Sequence, residues 1–371
     1  SGYNVTSTTN TPGDFSRTFY DVFGREIKTT KRGFAANTYI SKSVEYDFLG
    51  RKIKESEPYF DNSPSSSATS FPKVNTIIYD YLSRPETQTF FTGKQISIGY
   101  NGLTSATNDG TKIITTTNDA NGNKIEQISN GEQLKFTYYA NGNLKETIYG
   151  NHKITMKYDG WGRQIYMQDP SVSSIAYTNT YNNFGELLTE TTPTGTTTIK
   201  YTPKGKIEKK TQSGQNTNQV TDYFYDTKGF VTSETGTING KDFTYNFTYT
   251  PYFQIETNTE ITPNNLTHKK TFFYDGFGRV LRENTNSYLT SNSTVNSGNN
   301  TIEYNYNTYN GLIDQYKDVN SNTILWKLDT ANEKLQALTA SLGNGMQITN
   351  KYDSFGYFQT ANHSSTTTTA L

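Results

Sequence analysis

The residues of this 371-residue chain that could do metal or phosphate chemistry are its histidines and a glycine-rich turn. His152, His268 and His363 lie far apart in polar segments, without the spacing of a metal site. We therefore predict that none of them is a metal ligand. Gly343-Asn344-Gly345 lacks the following helix that a phosphate-binding loop requires, so it is interpreted as a turn.

Six aspartates could form a row of carboxylates, because each stands in the same short motif, Y-D-x-x-G. The alternative is that each aspartate accepts backbone N–H groups of its own turn, as an Asx-turn does. The second interpretation is favoured, since no acidic pair stands apart from these motifs as a glycoside hydrolase would need. The sequence thus predicts no catalytic residue, no cofactor-binding residue and no cofactor.

The motif itself predicts a hairpin corner, in which the glycine adopts a positive φ and closes a type I turn with a bulge. The composition would produce only roughly 0.1 matches by chance, so six matches indicate an internal repeat. The predicted structural turn residues are Tyr20, Asp21 and Gly24; Tyr46, Asp47 and Gly50; Tyr158, Asp159 and Gly162; Tyr225, Asp226 and Gly229; Tyr274, Asp275 and Gly278; and Tyr352, Asp353 and Gly356.

Weaker copies of the corner and a second kind of turn complete the repeat. The copies begin at Tyr79, Asn118, Tyr138, Tyr181, Tyr201 and Tyr249. Between corners lie turn signals such as Asn130-Gly131 and Asn239-Gly240. Each repeat is predicted to contain two strands, with Tyr-Asp corners on one edge and Asn-Gly turns on the other. About fifteen repeats give roughly thirty strands, and so long a twisted meander must coil.

Composition excludes several functions. Acidic and basic residues balance at 34 each and form no long basic run, which argues against nucleic-acid partners. No apolar stretch is long enough for membrane insertion, and the absence of cysteine removes disulfides and thiolate chemistry. Abundant Tyr, Phe and Thr with only 32% hydrophobic residues predict β-sheet with solvated polar and charged faces and no large core.

Four further features allow alternative interpretations. Residues Leu328 to Ala340 have helical spacing, but the repeat frame favours strands. The corner tyrosines could stack on sugars, but packing against the next hairpin is favoured. The polar insertions Asp61 to Ser70 and Asn284 to Asn300 are predicted to be exposed loops. The repeating arginines are predicted to bind their own corner or a neighbouring strand: Arg25, Arg51, Arg84, Arg163 and Arg279.

The YD-x-x-G-R repeats and the segment LWKLDTANEKLQALTASLGNGMQITNKYDSFG resemble the Rhs/YD-repeat family, from about Tyr20 to the end of the chain. The family includes teneurin barrels and the B and C subunits of bacterial insecticidal toxin complexes. The resemblance implies a strip of β-hairpins that spirals into a hollow shell, which encloses a C-terminal toxin in polymorphic-toxin members. The family's self-cleaving core motif has no match here, so the chain is expected to be a segment of a larger protein.

We therefore predict an all-β fold of antiparallel hairpin repeats winding into a curved or hollow spiral shell or barrel. Residues 1–19 are predicted to be a flank, opening on an expression scar, and residues 20–371 the shell segment. The predicted function is that of a non-enzymatic, secreted or surface-exposed bacterial shell wall. Its partners would be the remainder of the polypeptide or an encapsulated toxin. The alternative is an adhesin that binds glycan or protein through its aromatic face.

Overall fold

The computed structural model describes residues 3–7, 16–215, 217–262, 265–289 and 292–365, which contain 32 strands. Within these ranges no helix has the length and apolar character needed to cross a membrane. The strands are β1 Tyr3–Ser7, β2 Ser16–Tyr20, β3 Glu26–Arg32, β4 Tyr39–Tyr46, β5 Lys52–Ser56, β6 Tyr59–Phe60, β7 Val74–Tyr79, β8 Pro85–Thr89, β9 Gln95–Asn101, β10 Thr104–Asn108, β11 Ile113–Asn118, β12 Lys124–Ser129, β13 Glu132–Tyr138, β14 Leu144–Tyr149, β15 His152–Tyr158, β16 Gln164–Gln168, β17 Tyr177–Tyr181, β18 Leu187–Thr192, β19 Gly195–Tyr201, β20 Ile207–Gly214, β21 Asn218–Tyr225, β22 Val231–Ile238, β23 Lys241–Tyr249, β24 Ile255–Ile261, β25 Leu266–Tyr274, β26 Val280–Leu289, β27 Asn292–Tyr306, β28 Ile313–Asp318, β29 Thr323–Ala331, β30 Ala337–Leu342, β31 Met346–Tyr352 and β32 Phe358–Ser365.

Strand pairing follows the order of the chain. The described pairs are antiparallel, and successive strands such as β11, β12 and β13 are hydrogen-bonded neighbours. The exception lies near β6, where β4 pairs with β6 and β5 with β7. The prediction of an all-β fold built from antiparallel hairpin repeats is therefore confirmed. We call the edge that carries the Tyr-Asp corners the corner edge, and the opposite edge the turn edge.

Contacts divide the chain into two compact units. Unit 1 consists of the described residues of Ser1–Ser97, Phe272–Asn284 and Asn300–Leu371. Unit 2 consists of those of Ile98–Thr271 and Thr285–Asn299. Unit 1 thus joins an early and a late part of the chain.

Two ambiguous segments form strands. Leu328 to Ala340 contributes to β29 and β30 around a turn, so the interpretation as strands over helix is confirmed. The prediction of an exposed loop from Asn284 to Asn300 is wrong, since β26 continues to Leu289 and β27 begins at Asn292. The many Asn, Ser and Thr residues there are compatible with a strand because alternate side chains can face water.

The buried apolar core is small among the described residues. It consists of Phe19, Ile40, Val44, Tyr59, Met156, Phe243, Leu328 and Ala340. An equal number of polar or charged residues is buried, and five of them lie in β3, β4 and β5 of unit 1: Lys28, Thr30, Ser41, Ser43 and Ser56. The ribbon is therefore held largely by hydrogen bonds and edge contacts.

Lys28 is an exception to the expectation that charges lie on solvated faces. Its side chain is 1% exposed and its Nζ lies 2.7 Å from Asp61 Oδ2, whose side chain is 8% exposed. Lys28 Nζ also donates to the carbonyl oxygens of Ser63 and Ser66 at 3.3 and 3.0 Å. Residues 61–70 contain no strand, but these bonds tie the insertion down onto β3.

We expect Lys28→Ala to lower the free energy of unfolding by about 3 kcal/mol or more, because it leaves the Asp61 carboxylate buried without its cation. The control is Lys42→Ala, which removes a solvent-exposed partner of Glu55 and should cost less than about 1 kcal/mol. Urea unfolding measures both changes. Equal losses for the two variants would contradict the buried pair.

Candidate functional site

The corner edge is the part of the molecule where one arrangement of functional groups recurs. In the corner of Asp159, the backbone N–H of Asp159 donates to the carbonyl of Arg163 at 2.9 Å, and Gly162 N–H donates back to Asp159 at 3.0 Å. Gly162 has a φ of 82°, and a bulge precedes the corner at Tyr158. A short hairpin loop with a left-handed closing residue results.

The aspartate side chain caps this loop from inside. Asp159 Oδ1 accepts the backbone N–H groups of Trp161 and Arg163, each at 3.0 Å. Asp159 Oδ2 accepts Arg163 Nε at 2.6 Å. The same bonds recur at Asp21, Asp47, Asp80 and Asp275, while Asp226 and Asp353 accept backbone N–H groups only. Each predicted aspartate is thus occupied within its own turn.

These bonds favour the ionised form of the Asp159 carboxylate. Desolvation alone would raise the pKa of Asp159, but hydrogen bonds from the Arg163 backbone and side chain outweigh it and hold the pKa below its ordinary value. A lowered folded-state pKa stabilises the corner at pH values above the ordinary pKa. That stabilisation is lost as the pH falls through the lowered pKa. The carboxylate is a fixed acceptor, poorly suited to act as a general acid.

The arginine of one corner reaches the next corner along the edge. Arg163 Nη1 donates to the carbonyl of Asn182 at 3.4 Å, and its guanidinium lies 4.5 Å from the ring centroid of Tyr181. Arg25 and Arg279 likewise donate to the backbone carbonyls of Asp47 and Gly311 in the next corner, and Arg51 donates to the side-chain hydroxyl of Ser83. These arginines are therefore engaged within the protein.

The corner tyrosines bond backward to the preceding strand. Tyr201 OH donates to the carbonyl of Leu187 at 3.0 Å, and Tyr225 OH to that of Ile207 at 2.8 Å. The same bond joins Tyr79 to Lys52, Tyr138 to Lys124, Tyr181 to Gln164, Tyr249 to Val231, Tyr306 to Val280 and Tyr352 to Ala337. These tyrosine bonds and the arginine bonds connect successive hairpins along the corner edge.

Sequence reasoning missed that the Asp-Arg pair is replaced in other corners. Asn182 accepts the backbone N–H of Glu186 and donates its own Nδ2 to that side chain at 2.5 Å. Thr202 accepts the backbone N–H of Lys206, whose Nζ reaches the carbonyl of Gly229 at 2.5 Å. The available signal was a complementary pair of residue types four positions apart, at the second and sixth positions of these corners.

In unit 1, late corners lie against early turns of the turn edge, forming what we call the seam. Asn307 Nδ2 donates to the carbonyl of Phe34 at 3.1 Å, and Asn310 Nδ2 to that of Gly33 at 3.3 Å. Further along, Lys73 pairs with Glu333 at 2.6 Å, Lys334 pairs with Glu57 at 2.9 Å, and the Phe91 and Phe355 ring centroids are 5.6 Å apart. Along the seam, residue numbers rise together on the two edges, from Phe34 to Phe91 on the turn edge and from Asn307 to Phe355 on the corner edge.

The histidines remain scattered. His152 opens β15, His363 lies in β32, and His268 Nδ1 lies 2.7 Å from Ser287 Oγ. Throughout the described ranges, no group of three His, Cys, Asp or Glu side chains could hold a metal ion.

Comparison with known proteins identifies the fold. Neither a family model nor a curated protein sequence matches the chain. The crystal structure of TcdB2-TccC3-TEV matches with a TM-score of 0.76 and 13% identity, over 95% of this chain and 21% of that chain. TcdB2-TccC3 without its hypervariable C-terminal region also matches, with a TM-score of 0.56 and 13% identity, over 94% of this chain and 22% of that chain.

The predicted resemblance to insecticidal toxin complex proteins is confirmed at the level of the fold. This chain spans about a fifth of the length of the TcdB2-TccC3-TEV chain.

Replacing Gly162 by Val should lower the free energy of unfolding by about 1 kcal/mol or more, because a β-branched residue is strained at positive φ. Gly160→Ala in the same corner is the control, since an added Cβ there meets no atom within 4 Å. Equal urea midpoints for Gly162→Val and the unmodified chain would contradict the corner geometry.

Tyr201→Phe should cost about 1 kcal/mol of stability, because it leaves the carbonyl of Leu187 without its donor. Tyr252→Phe is the matched control, as Tyr252 is 84% exposed and should change stability by less than about 0.5 kcal/mol. Thermal unfolding separates the two. An unaffected Tyr201→Phe variant would show that the hydroxyl has no structural role.

Proposed function

We propose that this chain is a non-enzymatic wall segment of a secreted or surface-exposed bacterial β-shell that encloses a toxin or another cargo. The seam in unit 1 is the observation that carries this proposal. Three late residues contact turns that precede them by more than 200 residues: Asn307 through a hydrogen bond, Lys334 through an ion pair and Phe355 through its ring. A ribbon whose edges meet in this way forms a continuous wall without a conventional core.

The hydrogen bonds of the corner residues and the fold support a structural role. The corner Asp, Arg and Tyr side chains are engaged with one another and with the backbone, which leaves them unsuited to bind substrate. The TcdB2-TccC3 structures show that the fold occurs in chains about five times longer than this one. We propose that the rest of the polypeptide completes the enclosure and that the wall holds its guest without chemistry or a cofactor.

The polypeptide encoded by the complete gene provides the test. We expect it to contain further hairpin repeats and a C-terminal segment that resists added protease while the shell is intact. Mild unfolding of the shell should then expose that segment to cleavage. A C-terminal segment that is cleaved at once in the folded protein, or a gene that ends in a cell-anchoring domain, would contradict encapsulation.

The second candidate is an adhesin, favoured by the solvent-exposed rings at several corners. Phe48, Phe184 and Trp161 are 93%, 90% and 79% exposed. Rings exposed to this extent could stack on sugars or contact a surface protein. Saturable binding on a glycan array, without turnover and lost on replacement of these rings, would favour the adhesin over the shell wall.

A further inference from the structure

We infer that the first three corners of unit 1 form a docking strip for the turn edge of hairpins that precede Ser1 in the same polypeptide. The docking strip consists of the two residues between the capping Asp and the closing Gly or Ser of each corner: Val22, Phe23, Phe48, Leu49, Tyr81 and Leu82. The inference rests on the proposed function, which makes this chain one stretch of a longer β-shell.

The docking strip is a contiguous row of exposed apolar side chains. Phe23, Phe48 and Tyr81 are 79%, 93% and 91% exposed. The three corners are neighbours on the corner edge, since the arginine of each of the first two donates to the next corner. An exposed apolar row on an otherwise polar protein marks an interaction surface.

The late corners of unit 1 show what covers such a surface in this fold. Glu333 and Lys334 form ion pairs of the seam, and their side chains are only 22% and 23% exposed. Tyr309 is half-buried in its corner. Phe355, at the position that a phenylalanine also fills in the first corner, is 40% exposed because its ring packs edge-on against Phe91. Turns of the turn edge are therefore the groups that cover corners in unit 1.

The seam also has a direction along the chain. Each turn in the seam lies earlier in the chain than the corner it covers, by 260 residues for Lys73 and Glu333 and by 273 residues for Phe34 and Asn307. By the same offset, the turns that would meet the docking strip lie before the first residue of this sequence. Later hairpins do not fit, because in the seam the later stretch offers its corners and the earlier stretch its turns.

The chemistry of the docking strip indicates which turns it would accept. The late corners bind turns through an amide at Asn307 and through charges at Glu333 and Lys334. The docking strip offers neither an amide nor a charge, and the capping aspartates beside it are engaged within their own corners. The covering turns should therefore carry apolar or aromatic side chains, as Phe91 does, since burial of the row removes apolar surface from water.

Photocrosslinking in the polypeptide encoded by the complete gene tests the inference. Phe48 is replaced by p-benzoylphenylalanine, which keeps an aromatic ring and bonds to neighbouring groups on irradiation. Mass spectrometry should place the crosslink in a turn about 260 to 277 residues before Phe48, and that turn should carry an apolar side chain. The matched control is the same replacement at Phe355, which should crosslink to the turn that contains Phe91.

A mixture of unlabelled and isotope-labelled polypeptides separates crosslinks within one chain from crosslinks between copies. A crosslink from Phe48 to another copy or to a residue after Leu371 would overturn the inference. So would the absence of any crosslink from Phe48 while the control crosslink forms, or a complete polypeptide without hairpin repeats before Ser1. The protease test of enclosure is independent, because a C-terminal segment cleaved at once would contradict the proposed cargo and leave the Phe48 crosslink unchanged.

Discussion

The pairing of the second and sixth residues, present in most of the described corners, is the interaction on which the ribbon depends. The described chain buries few apolar side chains, so packing between layers cannot hold thirty strands in place. Asp159 closes its own loop with three hydrogen bonds and orients Arg163. The Arg163 guanidinium then contacts two groups of the next corner, the backbone carbonyl of Asn182 and the ring of Tyr181. One local pair thereby fixes both the turn and the spacing to its neighbour.

The same geometry is made by several chemical pairs within this chain. Asp with Arg, Asn with Glu and Thr with Lys all place an acceptor on the loop N–H groups and a partner four residues later. Replacement of one pair by another changes the charge and keeps the turn.

The sequence predicted those features that are written within a few consecutive residues. A corner needs only a capping side chain and a residue that tolerates positive φ, so the corners, the strands and the two edges follow from the motif. Contacts between distant residues left no such signal. The burial of Lys28 against Asp61 joins residues 33 apart in the chain, and Lys73 and Glu333 are 260 apart. The strands between Asn284 and Asn300 were missed because polar composition resembles that of a loop.

The seam is the central claim, and zero-length carbodiimide crosslinking tests it most directly, at a concentration where the chain is monomeric. The reagent joins only carboxylates and amines already in contact, and crosslinked peptides are identified by mass spectrometry. The structure predicts crosslinks between Lys73 and Glu333 and between Lys334 and Glu57. The local pair Lys54 and Glu45 serves as a positive control. Recovery of the local crosslink without either seam crosslink would contradict a ribbon whose edges meet.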